Sequence, residues 1–259
     1  MQLTEHILTN SDCYKAGRTI TPRGIMVHST GVAQPDVEVF LRDWDRPGVD
    51  KCAHAFVHQG GVVETLPWNW RGWHAGTPPG GGVSANNTHI SFEILEPAGH
   101  TYRGGEMVGY DAARNAAYFA AVYRNAVELC AYLCTRYGLD PAADIIDHSE
   151  GRALDVASNH SDVSQWFPRH GKSMDTLRAD VKALLEGGDA AMTQERFDAM
   201  FAASAQAYRK AREDRPVSVW AAEAWEKAVA AGIFDGTKPG APLTREQAAL
   251  VLDRLGLIP

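Results

Sequence analysis

The sequence lacks any run of about 18 apolar residues, the length a membrane-spanning helix needs, and so excludes a span of that kind. It also lacks an excess of positive charge. Lys and Arg number 25 against 32 Asp and Glu, a formal charge of -7, which argues against a general nucleic-acid binder and against a polybasic membrane surface. The opening residues Met1 to His6 (MQLTEH) have neither the basic nor the apolar region of a signal peptide. The expectation is a protein made soluble in the cytoplasm, without an export address of the usual kind. Cysteines are few, at 13, 52, 130 and 134, with no C-x-x-C pair. Cys130 and Cys134, four apart in a helical stretch, read as small buried thiols, and the spacing assigns no disulfide. No H-E-x-x-H motif marks a metal site.

What is present is an ordinary globular composition, 45% hydrophobic and 22% charged over 259 residues, enough for one large domain or two smaller ones. Residues 1–23 read as a turn-rich edge segment. Gly24 to Thr30 (GIMVHST) is an apolar run entering a histidine and two hydroxyls, a buried strand that ends in a polar site. Val37, Phe40, Leu41 and Trp44 fall on one helical face. Strands over 53–59 and 62–66 flank Gly60-Gly61, a hairpin signal, with His54 and His58 read as structural or surface residues. Trp68, Trp70 and Trp73 form either a core corner or a platform for sugar rings and apolar groups.

His89 to Leu95 alternates, so Glu93 lies on the face opposite Ile90, Phe92 and Ile94, where it serves as a general base or is simply solvated. The longest helix is expected over 112–137, closed by Gly138. Ile145-Ile146 then form a short strand ending at His148. Residues 149–172 read as a long functional loop carrying Asn159, His160, Ser161 and Asp162. Ser173 caps a helix with Leu177, Val181, Leu184 and Leu185 inward, stopping at Gly187-Gly188. Three sections follow: a domain over 1–188, a helical linker over 189–215 with its stripe in 192–214, and a small helical module over 216–259. In that module Thr244-x-x-Gln247 is a capping box.

His28, His148 and the carboxylates after it are the strongest chemical constellation. A catalytic zinc takes three protein ligands and leaves one position open for water, and two strand-end histidines with Asp162 supply that set. His160 and Asp162 are both within reach of one centre.

Residues 24–181 resemble the zinc-dependent N-acetylmuramoyl-L-alanine amidases of the type-2 amidase family, which share a fold with peptidoglycan-recognition proteins. The matching pieces occur in order: Gly24 to Thr30, Ala53 to Val57 followed by Gly61, Trp73-His74-Ala75-Gly76, Ile90 to Ile94, Asp147 to Glu150, and Asn159 to Asp162. The resemblance implies an α/β fold, a central mixed sheet flanked by helices. It implies zinc held by His28, His148 and Asp162, with Glu93 as catalytic glutamate and Trp73 and His74 lining the substrate groove. Where the family often has Lys two residues before the last ligand, this chain has His160. That imidazole either stabilises the oxyanion or displaces Asp162 as ligand.

The implied reaction is hydrolysis of the amide joining the lactyl group of N-acetylmuramic acid to L-alanine, in a phage-type endolysin that reaches the wall at host lysis. The rivals are a peptidoglycan-binding protein without catalysis and a zinc hydrolase cutting another wall amide. The tail, with Trp220 to Trp225, Gly232 to Gly236 and Leu243 to Ala248, resembles one S-layer homology repeat. The expected partners are therefore peptidoglycan and secondary wall polymers, with no nucleic acid and no membrane. Self-association through the C-terminal region is the other expectation for that tail.

Overall fold

Alternation along His89–Ile94 puts aliphatic side chains on one side of a strand and His, Ser and Glu on the other, and the sheet grows around that strand. The computed structural model describes residues 1–189, 210, 213 and 215–258. With elements numbered in chain order, β5 (His89–Ile94) pairs in parallel with β2 (Gly24–Ser29) and with β3 (Ala55–His58). β8 (Ile145–Asp147) adds in parallel outside β2, and β4 (Gly61–Glu64) returns antiparallel to β3. β1 (Leu3–Glu5) closes the far edge, giving the order β1-β4-β3-β5-β2-β8. A separate antiparallel ribbon joins β6 (Thr101–Arg103) to β7 (Glu106–Val108), and two short helices, α1 (Asp12–Lys15) and α4 (Pro141–Asp144), precede β2 and β8. The architecture is the expected mixed sheet flanked by helices.

One face of the sheet presents Ile25, Val27, Ile90, Phe92 and Ile94 to α3 (Ala116–Tyr137) and α6 (Met174–Asp189). Each large side chain buried there contributes roughly 1.5–3 kcal/mol. Part of the other face is covered by α2 (Val37–Trp44), which lays Phe40, Leu41 and Trp44 on Phe56 and Val63. The remainder of that face carries Met26, His28, Ser91 and Glu93, and it is left for the site.

Several boundaries differ from the sequence reading, each for a local reason. The hairpin turn is Gln59-Gly60, not Gly60-Gly61, because His58 pairs with Gly61. Gly61 instead starts β4 at φ +152°, where any Cβ would collide with the Gln2 carbonyl of β1's approach. α3 begins at Ala116 rather than 112, since Asp111 accepts from the Arg114 N–H and holds a turn ahead of it. Its C-terminal Gly138 is left-handed (φ 65°), as expected. The region 149–172 is not one loop. It holds α5 (His148–Ala153) and 3-10 turns at Asp162–Gln165 and Phe167–His170. α6 runs through Gly187 to Asp189, and Leu184 is 43% exposed while Leu177 and Val181 are buried.

The chain divides into two compact units, Met1–Asp189 and Ala190–Pro259. The expected linker helix over 192–214 lies outside the described residues apart from Lys210 and Glu213. In the second unit, a 3-10 turn at Val219–Ala221 leads into α7 (Ala222–Ala230), and α8 (Arg245–Arg254) follows. Trp225 stacks on Phe234 at 5.3 Å, and both bonds of the Thr244–Gln247 capping box are made. Among the described residues, no helix is long and apolar enough to cross a membrane.

Candidate metal centre

Three separate pieces of backbone deliver side chains to one point. The first is the end of β2, where His28 shares a face with Met26 and stands opposite Glu93 of β5 in the parallel register. The second is the junction of β8 and α5. Asp147 caps that helix by accepting the Glu150 N–H (2.7 Å), and Glu150 accepts the Asp147 N–H (3.1 Å), which makes His148 the first helical residue. Gly151 lets α5 lie against β2, since a Cβ there would sit 2.7 Å from Met26 Cε. Arg178 of α6 braces the junction, donating to both Glu150 carboxylate oxygens (2.8 and 3.0 Å) and to the Ile145 carbonyl. The third piece is the 3-10 turn at Asp162, whose φ of +42° an aspartate tolerates better than most residues. Beneath it Trp166 is fully buried and donates its indole N–H to the Tyr110 hydroxyl (2.9 Å).

These pieces bring His28 Nδ1, His148 Nδ1 and Asp162 Oδ2 into a triangle. Nδ1 of His28 is 2.8 Å from Oδ2 of Asp162, Nδ1 of His148 is 3.1 Å from the same oxygen, and the two ring nitrogens are 3.3 Å apart. His28, His148 and Asp162 form the metal-sized cluster found among the described residues. Each histidine uses its other nitrogen elsewhere. Nε2 of His28 lies 3.0 Å from Nδ1 of His74, and Nε2 of His148 lies 3.2 Å from Oγ of Ser158. Oriented rings with the second nitrogen partnered are what a metal ligand requires. Two imidazoles and a carboxylate beside an open cavity fit a divalent metal.

The electrostatics agree with that fit. Burial alone would raise the Asp162 pKa, but the charges and hydrogen bonds of His28 and His148 outweigh it and hold the carboxyl well below the usual range. Glu93 goes the other way. Burial, then the nearby Asp162 charge, pushes its carboxyl well above the ordinary value. His74 is pushed well below the usual imidazole value by burial and then by His28. His160 is lowered more modestly, by burial and then His148.

A cavity of about 370 Å³ opens over the triangle, lined by Thr30, Lys51, Trp73, Glu93 and His160 among others. His160 is not a corner of the triangle: its Nδ1 lies 3.3 Å from Ser158 Oγ, and its ring sits 4.6 Å from that of His148. His74 lines the cavity as well as backing His28. The tryptophans split between the two readings. Trp68 is core, packed edge-on against Tyr132, Trp70 stacks on Tyr14 at 4.7 Å, and Trp73 faces the cavity. His54 is structural, its Nε2–H donating to the Trp70 carbonyl (2.8 Å) and its Nδ1 accepting from the Ser91 N–H (3.0 Å). All four cysteines are free and buried.

Sequence reasoning missed Ser158, Lys51 and Asn86. Asn86 accepts from the His74 and Ala75 N–H groups (2.7 and 2.9 Å) and so fixes the loop bearing Trp73 and His74. No spacing announces Ser158 or Asn86, because each reaches the site through a contact with a segment ten or more residues away, and Lys51 belongs to the site only as a wall of the folded cavity.

The first unit is similar to known proteins. Its residues 18–165 match the model of the N-acetylmuramoyl-L-alanine amidase family. No curated protein gives a match. Among solved structures, the catalytic domain of XlyA is 22% identical over 70% of this chain and 99% of its own, with a TM-score of 0.51. The Staphylococcus aureus hydrolase AmiA, solved in complex with its ligand, is also 22% identical, over 74% of this chain and 87% of its own (TM-score 0.51). A mutant endolysin from Bacillus subtilis gives 22% over 70% and 99% (TM-score 0.50). Likeness at that identity establishes the shared fold. The family match, which spans more than half of the chain, establishes more: this chain belongs to the N-acetylmuramoyl-L-alanine amidase family.

Proposed function

We propose that the chain is a zinc-dependent peptidoglycan hydrolase that cleaves the amide between the lactyl group of N-acetylmuramic acid and L-alanine. The observation that carries this reading is the triangle of His28, His148 and Asp162 with Glu93 beside it in the strand register. Zinc bound there supplies an acidified water and a Lewis acid for the carbonyl. The chain's own groups do the rest. Glu93, with its raised affinity for a proton, takes one from the attacking water and passes it to the leaving amine. His160 donates an N–H to the oxyanion that develops on the carbonyl oxygen. Asp162, held anionic, would complete with His28 and His148 the donor set that holds the zinc, while His74 and Ser158 orient the two imidazoles through their other nitrogens. Trp73 offers an apolar wall to the glycan or peptide along the cavity rim.

The test is mass spectrometry of purified peptidoglycan fragments after digestion. The expected products are a free muramic lactyl acid and a peptide with an L-alanine amine. A cut elsewhere in the stem peptide would replace this reading with another wall amidase, and binding without any cut would replace it with a recognition protein. For the C-terminal unit we propose docking on wall polymers, with self-association as the rival. Trp220 supports a docking role, being 89% exposed. A lytic role as an endolysin that meets the wall at host lysis completes the proposal.

A further inference from the structure

His148, Ser158 and His160 make a chain of polar atoms that the proposed reaction does not by itself explain. Nε2 of His148 is 3.2 Å from Ser158 Oγ, and Ser158 Oγ is 3.3 Å from Nδ1 of His160. Ser158 is held in place from two directions. Its N–H donates to the Ala75 carbonyl (2.8 Å), and its side chain rests on Gly76, where a Cβ would come within 2.5 Å of Oγ. Gly76 also has φ +63°, so glycine is required there twice over.

The hydrogen positions along this chain follow from one constraint. Nδ1 of His148 is the nitrogen facing His28 and Asp162, so a cation in the triangle occupies its lone pair. A neutral imidazole used that way carries its hydrogen on Nε2. That N–H donates to Ser158 Oγ, the serine's single hydrogen turns to His160, and Nδ1 of His160 accepts it. His160 is then left with its hydrogen on Nε2. With the triangle empty, His148 can hold its hydrogen on Nδ1, and both hydrogen bonds can run in the opposite sense.

We propose that Ser158 is a positioning residue that relays the tautomer of His148 to His160, so that metal loading fixes an N–H on Nε2 of His160 as the cavity's donor. The consequence for catalysis rests on the amidase reading, whereas the relay itself needs only the metal. The test is nitrogen-15 NMR of the histidine rings in protein loaded with zinc alone, with the His160 signals assigned through His160→Gln. The loaded wild type should show a hydrogen on Nε2 of His160 and none on Nδ1. Ser158→Ala should give averaged tautomers, and Ser158→Thr, which keeps the hydroxyl, should restore the wild-type pattern. In turnover, Ser158→Ala should lose about 3- to 10-fold in kcat, the worth of one hydrogen bond, with little change in KM. Ser158→Thr should recover that loss. A hydrogen on Nδ1 of His160 in the loaded wild type overturns the relay, and so does a Ser158→Ala spectrum identical to it. An unchanged kcat in Ser158→Ala, at undiminished folding, overturns the positioning role. A wild type that loads zinc but cleaves no muropeptide removes the amidase reading and leaves the tautomer result standing.

Discussion

Zinc should stabilise this protein through Asp162 and not through His160. The donors of a tetrahedral zinc lie at about 2.0–2.1 Å and so stand roughly 3.3 Å from one another. The triangle's edges are 2.8, 3.1 and 3.3 Å, so loading opens the tightest one by about half an ångström and needs no change of fold. A ligand that binds only the folded state at a hundredfold excess over its Kd contributes about 2.7 kcal/mol. For a unit of this size each kcal/mol moves the unfolding midpoint by about 2–4 °C, so the expected rise is about 5–10 °C. The assay is thermal unfolding of chelator-stripped protein with and without zinc, followed by near-ultraviolet circular dichroism. Asp162→Ala should lose most of the rise, because two nitrogens alone remain. His160→Gln should keep it, because Nδ1 of His160 is turned to Ser158. A rise that survives Asp162→Ala and disappears in His160→Gln would refute the ligand set.

Two further outcomes follow from the same geometry. Glu93→Gln should keep the zinc-induced rise while muropeptide turnover falls by about 10²- to 10⁴-fold, the usual worth of a general acid–base group; retained turnover takes Glu93 out of the mechanism. His54, pushed down to about 4 by burial, is neutral when folded, so the stability it contributes is complete above its ordinary value of 6.5 and is lost as the pH falls through about 4. The stability gap between wild type and His54→Asn should therefore narrow by about 2 kcal/mol from pH 7 to 5, and by about 3 kcal/mol at pH 4, in denaturant titrations; a gap constant with pH would disprove it.

The legible parts of this chain are those where one physical period dominates. β5 shows its faces because alternation separates Ile90, Phe92 and Ile94 from Ser91 and Glu93, and the core forms on the first set. α3 shows its end because Gly138 alone can take the left-handed turn without strain. Illegible parts are those where a contact from elsewhere decides. The Gly60-Gly61 pair looks like a turn, yet Gly61 is a glycine because Gln2 passes over it. Asp147 to Glu150 carries a capping box in its letters, but a helix of six residues has no period to reveal it. It is held instead by Arg178, 28 residues further on.

The choice between His160 and Asp162 shows where the limit falls at the site itself. Both residues can ligate a metal, and they lie two positions apart on backbone without a repeating geometry. What separates them is the backbone at Asp162, whose φ of +42° opens the 3-10 turn that leads to buried Trp166. That turn carries the Asp162 carboxylate in toward His28 and His148, while His160 faces Ser158. A β-branched or bulky residue would resist such a conformation, and a short acceptor such as aspartate adopts it at smaller cost. The aspartate is thus suited twice, as the anion the two imidazoles hold and as the residue that accepts the turn. Its letter in the sequence reports the first role and is silent on the second, which only the folded backbone decides.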